Sequence, residues 1–189
     1  PHRARDPETG HSRHAQRHGL PFVYANQVGG NDELIFDGRS FVFNGRGEPL
    51  AVLPGFEEHV ATVDLQTASP VPYAPQAEIA SVHDALVLGI RDYLRKCGFS
   101  RAIIGLSGGI DSAVTACLAT AALGRDNVRC LAMPSQYSST GSVEDAQALA
   151  RNLGIQLDLA PIQPIFEAYL GTLRELFAGT APGLAEENV

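Results

Sequence analysis

The sequence has no tryptophan, one methionine and only three cysteines in 189 residues. Cys97, Cys117 and Cys130 form no C-x-x-C pair and each lies in an apolar, helix-like or strand-like stretch, so they are expected to be reduced core residues of a cytoplasmic protein. Positive charge is also scarce. Fourteen Lys and Arg face 21 Asp and Glu, and a formal net charge of −7 argues against a broad nucleic-acid surface. The exception is the start, where Arg3, Arg5, Arg13 and Arg17 accompany four of the six histidines; this reads as a solvated helix face or turn. His11, His14 and His18 have helical spacing, yet no carboxylate or cysteine pattern joins them into a metal site. No apolar run approaches the ~18 residues of a membrane span, and no signal-peptide core is present. No membrane partner is expected. The chain begins "PHRARD", without a starter Met, which marks it as an expected piece of something longer.

What is present is ordinary globular material, 44% hydrophobic and 19% charged, enough for one domain or pieces of two. From Leu20 to Leu65 the signals are strands and turns. "PFVYANQV" is a β-rich run closed by Gly29-Gly30, "SFVFN" a short one closed by Gly45, and "HVATVDL" another. Then "TASPVPYAPQ" places Pro70, Pro72 and Pro75 within six positions, a composition that stays extended and buries little. The domain reading is therefore 1–66, a linker at 67–77, and 78–189.

Beyond the linker the period changes from 2 to 3.6. Ile79, Val82, Leu86, Ile90 and Leu94 predict one apolar face of a helix that Gly98 can end. Next come "AIIGL", a helix over about 112–123, "VRCLAM", a helix over about 143–153 started by Ser142 with Asp145 and closed by Gly154, "IQLDL", and a helical pattern through Phe166, Leu170, Leu173 and Phe177. Apolar strands alternating with helices predict an α/β fold with a parallel, doubly wound sheet covered on both faces.

The stretch "LSGGIDSA" sits between a strand and a helix of that half, where ligands of parallel α/β sheets bind. Gly108 and Gly109 let a phosphate approach the backbone N–H groups, Ser107 and Ser112 add hydroxyls, and the next helix presents its positive end. Asp111 beside a polyphosphate would need a cation such as Mg²⁺ between them; it reads equally as a helix cap. The G-x-G-x-x-G spacing of dinucleotide folds is absent, and no Lys follows the glycines as in a Walker loop.

Ser107-Gly108-Gly109-Ile110-Asp111-Ser112 resembles the S-G-G-x-D-S signature of the N-type ATP pyrophosphatases, which cleave ATP between its α and β phosphates and pass AMP to an acceptor. "ALVLGIRDYLRKCGFSRAIIGLSGGIDSAV" and "LAMPSQYSSTGSVEDAQALARNLGI" are similar to the opening of the synthetase domain of the glutamine-dependent NAD⁺ synthetases. "GLPFVYANQVGGNDELIFDGRSFVFNGRGEP" resembles the late part of their nitrilase-like glutaminase domain, whose α/β sandwich would here be a β-rich remnant.

The resemblance implies ATP and Mg²⁺ as cofactors, deamido-NAD⁺ and glutamine or ammonia as substrates, and a homo-oligomeric complete enzyme. In the family, ATP adenylates the nicotinate carboxylate, pyrophosphate leaves, and ammonia attacks the acyl-adenylate. It places Gly105, Leu106, Ser107, Gly108, Gly109, Ile110, Asp111, Ser112 and Met133 at ATP, with Asp111 on Mg²⁺ and Asn188 near deamido-NAD⁺. Leu106 and Met133 read equally as strand-end core residues. "PSQYSSTGS" is a polar loop able to cover the nucleotide, and Gln136 stands where related sequences carry a base. No cysteine precedes Cys97, so the glutaminase nucleophile has no counterpart; Glu33 and Asp37 are read as structural turn residues. The later ATP-site motifs have no counterpart either, so the chain is expected to be an inactive middle piece. Two alternatives remain: another acceptor for AMP, or a non-catalytic nucleotide-binding module.

Overall fold

The computed structural model describes residues 7–174. They divide into two compact units, one running to Arg101 and taking in Ala121–Gly124, the other formed by Ala102–Thr120 and the described residues from Arg125 onward.

The first unit contains helix α1 (Pro7–His18), strands β1 (Phe22–Tyr24), β2 (Val28–Asn31), β3 (Leu34–Asp37), β4 (Phe41–Phe43) and β5 (Pro49–Val52), and helix α2 (Glu78–Lys96). Strands β1, β4 and β5 form one antiparallel sheet in that order, and β2 with β3 a separate hairpin. Ala15, Phe41 and Phe43 make the core, with Phe22, Tyr24 and Val52 packed on it. The His11 ring lies 5.1–5.3 Å from the rings of Phe22, Tyr24 and Phe41, and His14 stacks on Phe22.

Several sequence expectations are corrected here. "PFVYANQV" is two strands in different sheets, and Gly29-Gly30 lies inside β2 instead of closing the run. No strand forms over 59–65; Val60 is 95% exposed, and the Asp64 carboxylate instead accepts from the N–H groups of Gln66 and Thr67. The unpredicted β5 starts on Pro49, a position where a strand tolerates the missing donor.

Helix α2 forms where the period places it, with Cys97 at its C-cap and Gly98 beyond at φ +79°. Its predicted apolar stripe is covered only in part: Ile79, Val82 and Leu86 are exposed and Ile90 and Leu94 half-buried, while Leu88 and Asp92 are the buried residues. The covered face meets the β2–β3 hairpin through small residues: a Cβ on Gly30 would lie 3.4 Å from the Gly89 Cα. Asp92 Oδ2 accepts from Gly30 N–H at 2.9 Å, and Lys96 donates to the Gly30 carbonyl.

The second unit comprises β6 (Ala102–Gly105), α3 (Ile110–Leu123), β7 (Val128–Ala132), α4 (Thr140–Leu153), β8 (Gln156–Leu159) and α5 (Gln163–Leu173). The strands are parallel in the order β6-β7-β8. Right-handed crossovers between strands in sequential order place α3 and α4 on the same face. That face buries Val128, Cys130 and Ala132, together with helix residues Ala116, Ala119, Ala146 and Ala150. The opposite face keeps Ile103 exposed and pairs Arg129 with Asp158. Among the described residues, α3 and α4 thus supply the cover of one face of this parallel sheet.

Of the three cysteines only Cys130 is a core residue, and burial pushes its thiol up; Cys97 and Cys117 are exposed, and all three are free. Among the described residues no helix is long and apolar enough to cross a membrane.

Candidate functional site

Residues 106–109 connect β6 to α3 at the carboxyl edge of the sheet. Leu106 N–H donates to the Leu131 carbonyl at 2.9 Å, continuing the β6–β7 pairing one residue past the strand. Its side chain is 2% exposed, so the core reading holds for that side chain, while the residue also lines a cleft beside the loop. The turn after it is held by serines. Ser107 Oγ lies 3.1 Å from Ser112 Oγ and accepts from Gly109 N–H at 3.3 Å, while Ser112 Oγ donates to the Gly109 carbonyl at 3.0 Å.

The two glycines differ. Gly108 has φ +83°, and a Cβ there would fall 2.2 Å from the Ser142 carbonyl oxygen, so the start of α4 packs directly on this peptide. A Cβ on Gly109 would meet only Ser107 Oγ, at 3.4 Å, an ordinary contact. Close packing accounts for Gly108, whereas a Cβ on Gly109 would meet a hydroxyl and no backbone within 4 Å.

Helix α3 begins at Ile110, two residues before the predicted start, so Asp111 lies inside its first turn instead of capping it. The Asp111 side chain is exposed and makes no hydrogen bond or ion pair among the described residues, while its carbonyl accepts from Thr115 Oγ1 at 2.8 Å. Ile110 is 75% exposed. Neither residue lines the cleft. Helix α4 likewise starts early: Ser139, not Ser142, is the N-cap, with extended backbone, and its Oγ accepts from Ser142 N–H at 3.0 Å. Gly154 closes α4 at φ +66°, as its sequence position implies.

The cleft, about 280 Å³, brings Gly105, Leu106 and Ser107 from the β6 end together with Met133 from the β7 end. Pro134, Ser138 and Ser142, from the polar run that the sequence reads as a loop able to cover the nucleotide, also line it, as does Val143, to which no site role was assigned. Their signal was the serine-rich run after β7, which reads only as a polar loop until Ser139 is seen to cap α4. Neither the cleft lining nor residues 105–112 include a Lys or Arg, so the positive potential comes from the N-termini of α3 and α4. Among the described residues no group of three or more His, Cys, Asp or Glu could hold a metal unaided. Asp37 accepts from Asn26 Nδ2 at 2.9 Å and Glu33 lies in the β2–β3 turn, in keeping with structural roles. Asn188 and Phe177 lie outside the described residues.

These features define a class first: a parallel α/β unit whose strand-to-helix loop offers N–H groups and hydroxyls to an anion beside an apolar-walled cleft. A family model for NAD synthase matches residues 82–189, and the chain belongs to that family. It is 49% identical over 178 residues to the glutamine-dependent NAD(+) synthetase of Rhodobacter capsulatus, covering 90% of this chain and 32% of that protein. The corresponding Synechocystis protein is 48% identical, with 94% and 33% covered. The chain thus spans about a third of the length of these relatives. Among solved structures, glutamine-dependent NAD+ synthetase from Acinetobacter baumannii in complex with ADP superposes with a TM-score of 0.86 at 40% identity, covering 96% of this chain and 35% of that one.

Proposed function

We propose that this chain carries the ATP-gripping part of an enzyme that amidates deamido-NAD⁺ to NAD⁺, with glutamine or ammonia as nitrogen source and AMP and pyrophosphate as products. The observation that carries the reading is the Gly109 N–H at the start of α3, with the hydroxyls of Ser107 and Ser112 beside it and no backbone crowding the glycine. The Gly109 N–H bond to Ser107 Oγ is long, so a phosphate oxygen can replace that acceptor at small cost.

In this reading Ser107, Gly109 and Ser112 hold the pyrophosphate half of ATP, and Leu106 and Met133 wall the cleft for adenosine. The chemical difficulty is charge, because a carboxylate must attack an anionic phosphate, and fixed N–H donors lower that barrier. The exposed carboxylate of Asp111 in the first turn of α3, unpaired among the described residues, is the group that would hold Mg²⁺, and the ion would supply positive charge to the leaving pyrophosphate. Gly108 serves the site indirectly, by letting α4 approach the loop.

The test is a product assay on this sequence with whatever flanking sequence its gene supplies, given ATP, Mg²⁺, deamido-NAD⁺ and either ammonium or glutamine. NAD⁺ and AMP in equal amounts are expected. Asp111→Asn should lower turnover by about a hundredfold, the usual effect of removing one electrostatic contact to a developing charge, with the melting temperature little changed. AMP formation with another acceptor and no NAD⁺ would favour a different enzyme of the same superfamily; neither product would overturn the proposal.

A further inference from the structure

The turn that walls the cleft is tied to α5 at three places. Pro134 and Ser138 line the cleft and bracket a closed turn, in which Ser138 N–H donates to the Ser135 carbonyl at 3.0 Å and Ser135 N–H to Ser138 Oγ at 3.1 Å. The Pro134 carbonyl accepts from Ile162 N–H at 3.1 Å, and Gln136 N–H donates to Gln163 Oε1 at 3.0 Å. The Tyr137 ring meets Phe166 edge to face, centroids 6.0 Å apart. Gln163 Nε2 in turn donates to Glu167 Oε1 at 2.9 Å, which fixes the amide so that its oxygen faces Gln136.

Burial does not explain why α5 lies there. None of its residues is buried, and Ile165, Tyr169 and Leu170 are exposed. Its first turn nevertheless grips Pro134, Gln136 and Tyr137. We propose that Gln163 is a positioning residue for the nucleotide, holding the Pro134–Ser138 turn in the shape the cleft requires. The inference rests on the ATP reading above. Without the tether, an exposed turn must be ordered when nucleotide binds, and that entropy is subtracted from affinity. The pyrophosphate contacts at Ser107, Gly109 and Ser112 lie on a different loop and do not share this cost.

The experiment compares ATP and inorganic pyrophosphate by titration calorimetry on the unaltered chain, Gln163→Met and Glu167→Ala, with exchange of the Gln136 amide followed by NMR. Gln163→Met keeps the volume and removes the acceptor; it should raise the Kd for ATP about fivefold, the loss expected of one partly exposed hydrogen bond. Pyrophosphate affinity should stay unchanged while the Gln136 amide exchanges faster. Glu167→Ala leaves Gln163 in place but frees its amide to flip, and should shift ATP the same way by about twofold. Unchanged ATP affinity with faster Gln136 exchange would overturn the positioning role alone. Equal losses for ATP and pyrophosphate would also overturn it, since they mean general loosening. No ATP affinity in the unaltered chain would overturn the nucleotide reading and this inference together.

Discussion

The two units are packed on opposite principles. The first holds itself together with rings: Phe41 and Phe43 meet edge to face at 5.1 Å, Tyr24 stacks on Phe41 at 4.9 Å, and His11 sits among Phe22, Tyr24 and Phe41. The second buries mostly small side chains, with Leu106, Val128 and Ile155 as its larger ones. Ala116, Ala119, Ala132, Ala146, Ala150 and Cys130 make up most of its buried side chains, with Val128 on the same face, and Gly108 lets one backbone touch another. Large side chains suit two short antiparallel sheets, which have little area and must fill space from few positions. Small ones suit a unit whose loops have to approach closely enough to shape a cleft. Truncation should therefore break the first unit, and enlargement the second.

Phe43→Ala is the strongest test of the first half of that contrast. Phe43 is 2% exposed in the core of the β1-β4-β5 sheet, and losing such a ring costs about 3–5 kcal/mol. Urea unfolding followed through tyrosine fluorescence should show that loss. A change below about 1 kcal/mol would mean the ring cluster is not what holds the unit.

For the second unit the decisive pair is Gly108→Ala against Gly109→Val. One methyl at Gly108 meets the Ser142 backbone and a left-handed φ at once, for a cost on the order of 3 kcal/mol. At Gly109 no backbone stands in the way, so stability should fall by less, about 1 kcal/mol. ATP affinity should nevertheless drop by about tenfold or more, because the branched side chain fills the space proposed for phosphate. Equal destabilisation by both substitutions would erase the distinction between a packing glycine and a ligand glycine.

The same contrast explains what could be read from sequence. In the second unit, β6, α3, β7, α4 and β8 all appear at or within a few residues of their predicted places, because strand, glycine turn and helix are local signals in a parallel α/β unit. The errors there concern helix starts: Ser139 and Ser142 are both eligible caps, and only the extended backbone of Ser139 decides between them. In the first unit, pairing partners decide. The run through Val23 and Val28 looks like one strand until β1 pairs with β4 and β2 with β3. Helix α2 misleads most, since periodicity marks its apolar stripe while the covered face is chosen by the Gly30–Gly89 approach and the Asp92–Gly30 bond. No hydrophobicity pattern encodes contact between two glycines. At the site, S-G-G-x-D-S was legible as a motif, but the division of labour between its glycines depends on α4, a distant element in the sequence.

The smallest expected effect concerns the sheet face that the alanine layer does not cover. There Arg129 of β7 and Asp158 of β8 pair, and the Arg129 hydrogen bond, helped by Gln156, holds the Asp158 carboxyl below its usual range. The same bond raises Arg129. A carboxylate whose pKa is lowered by folding adds stability that is fully present above its unfolded pKa, about 3.9, and is lost as pH falls through the lower folded value. Arg129→Met should thus lower stability by a constant, small amount from pH 7 to pH 5, with the difference from the unaltered chain shrinking below about pH 4. Both side chains are partly in water, 53% and 34% exposed, so added salt should shrink the difference as well. Urea midpoints at pH 7 and pH 3, at low and high salt, decide it. A difference unaffected by pH or salt would assign the loss to the packing of the arginine stem on the sheet, and this face would then be held, like the other, by contact and not by charge.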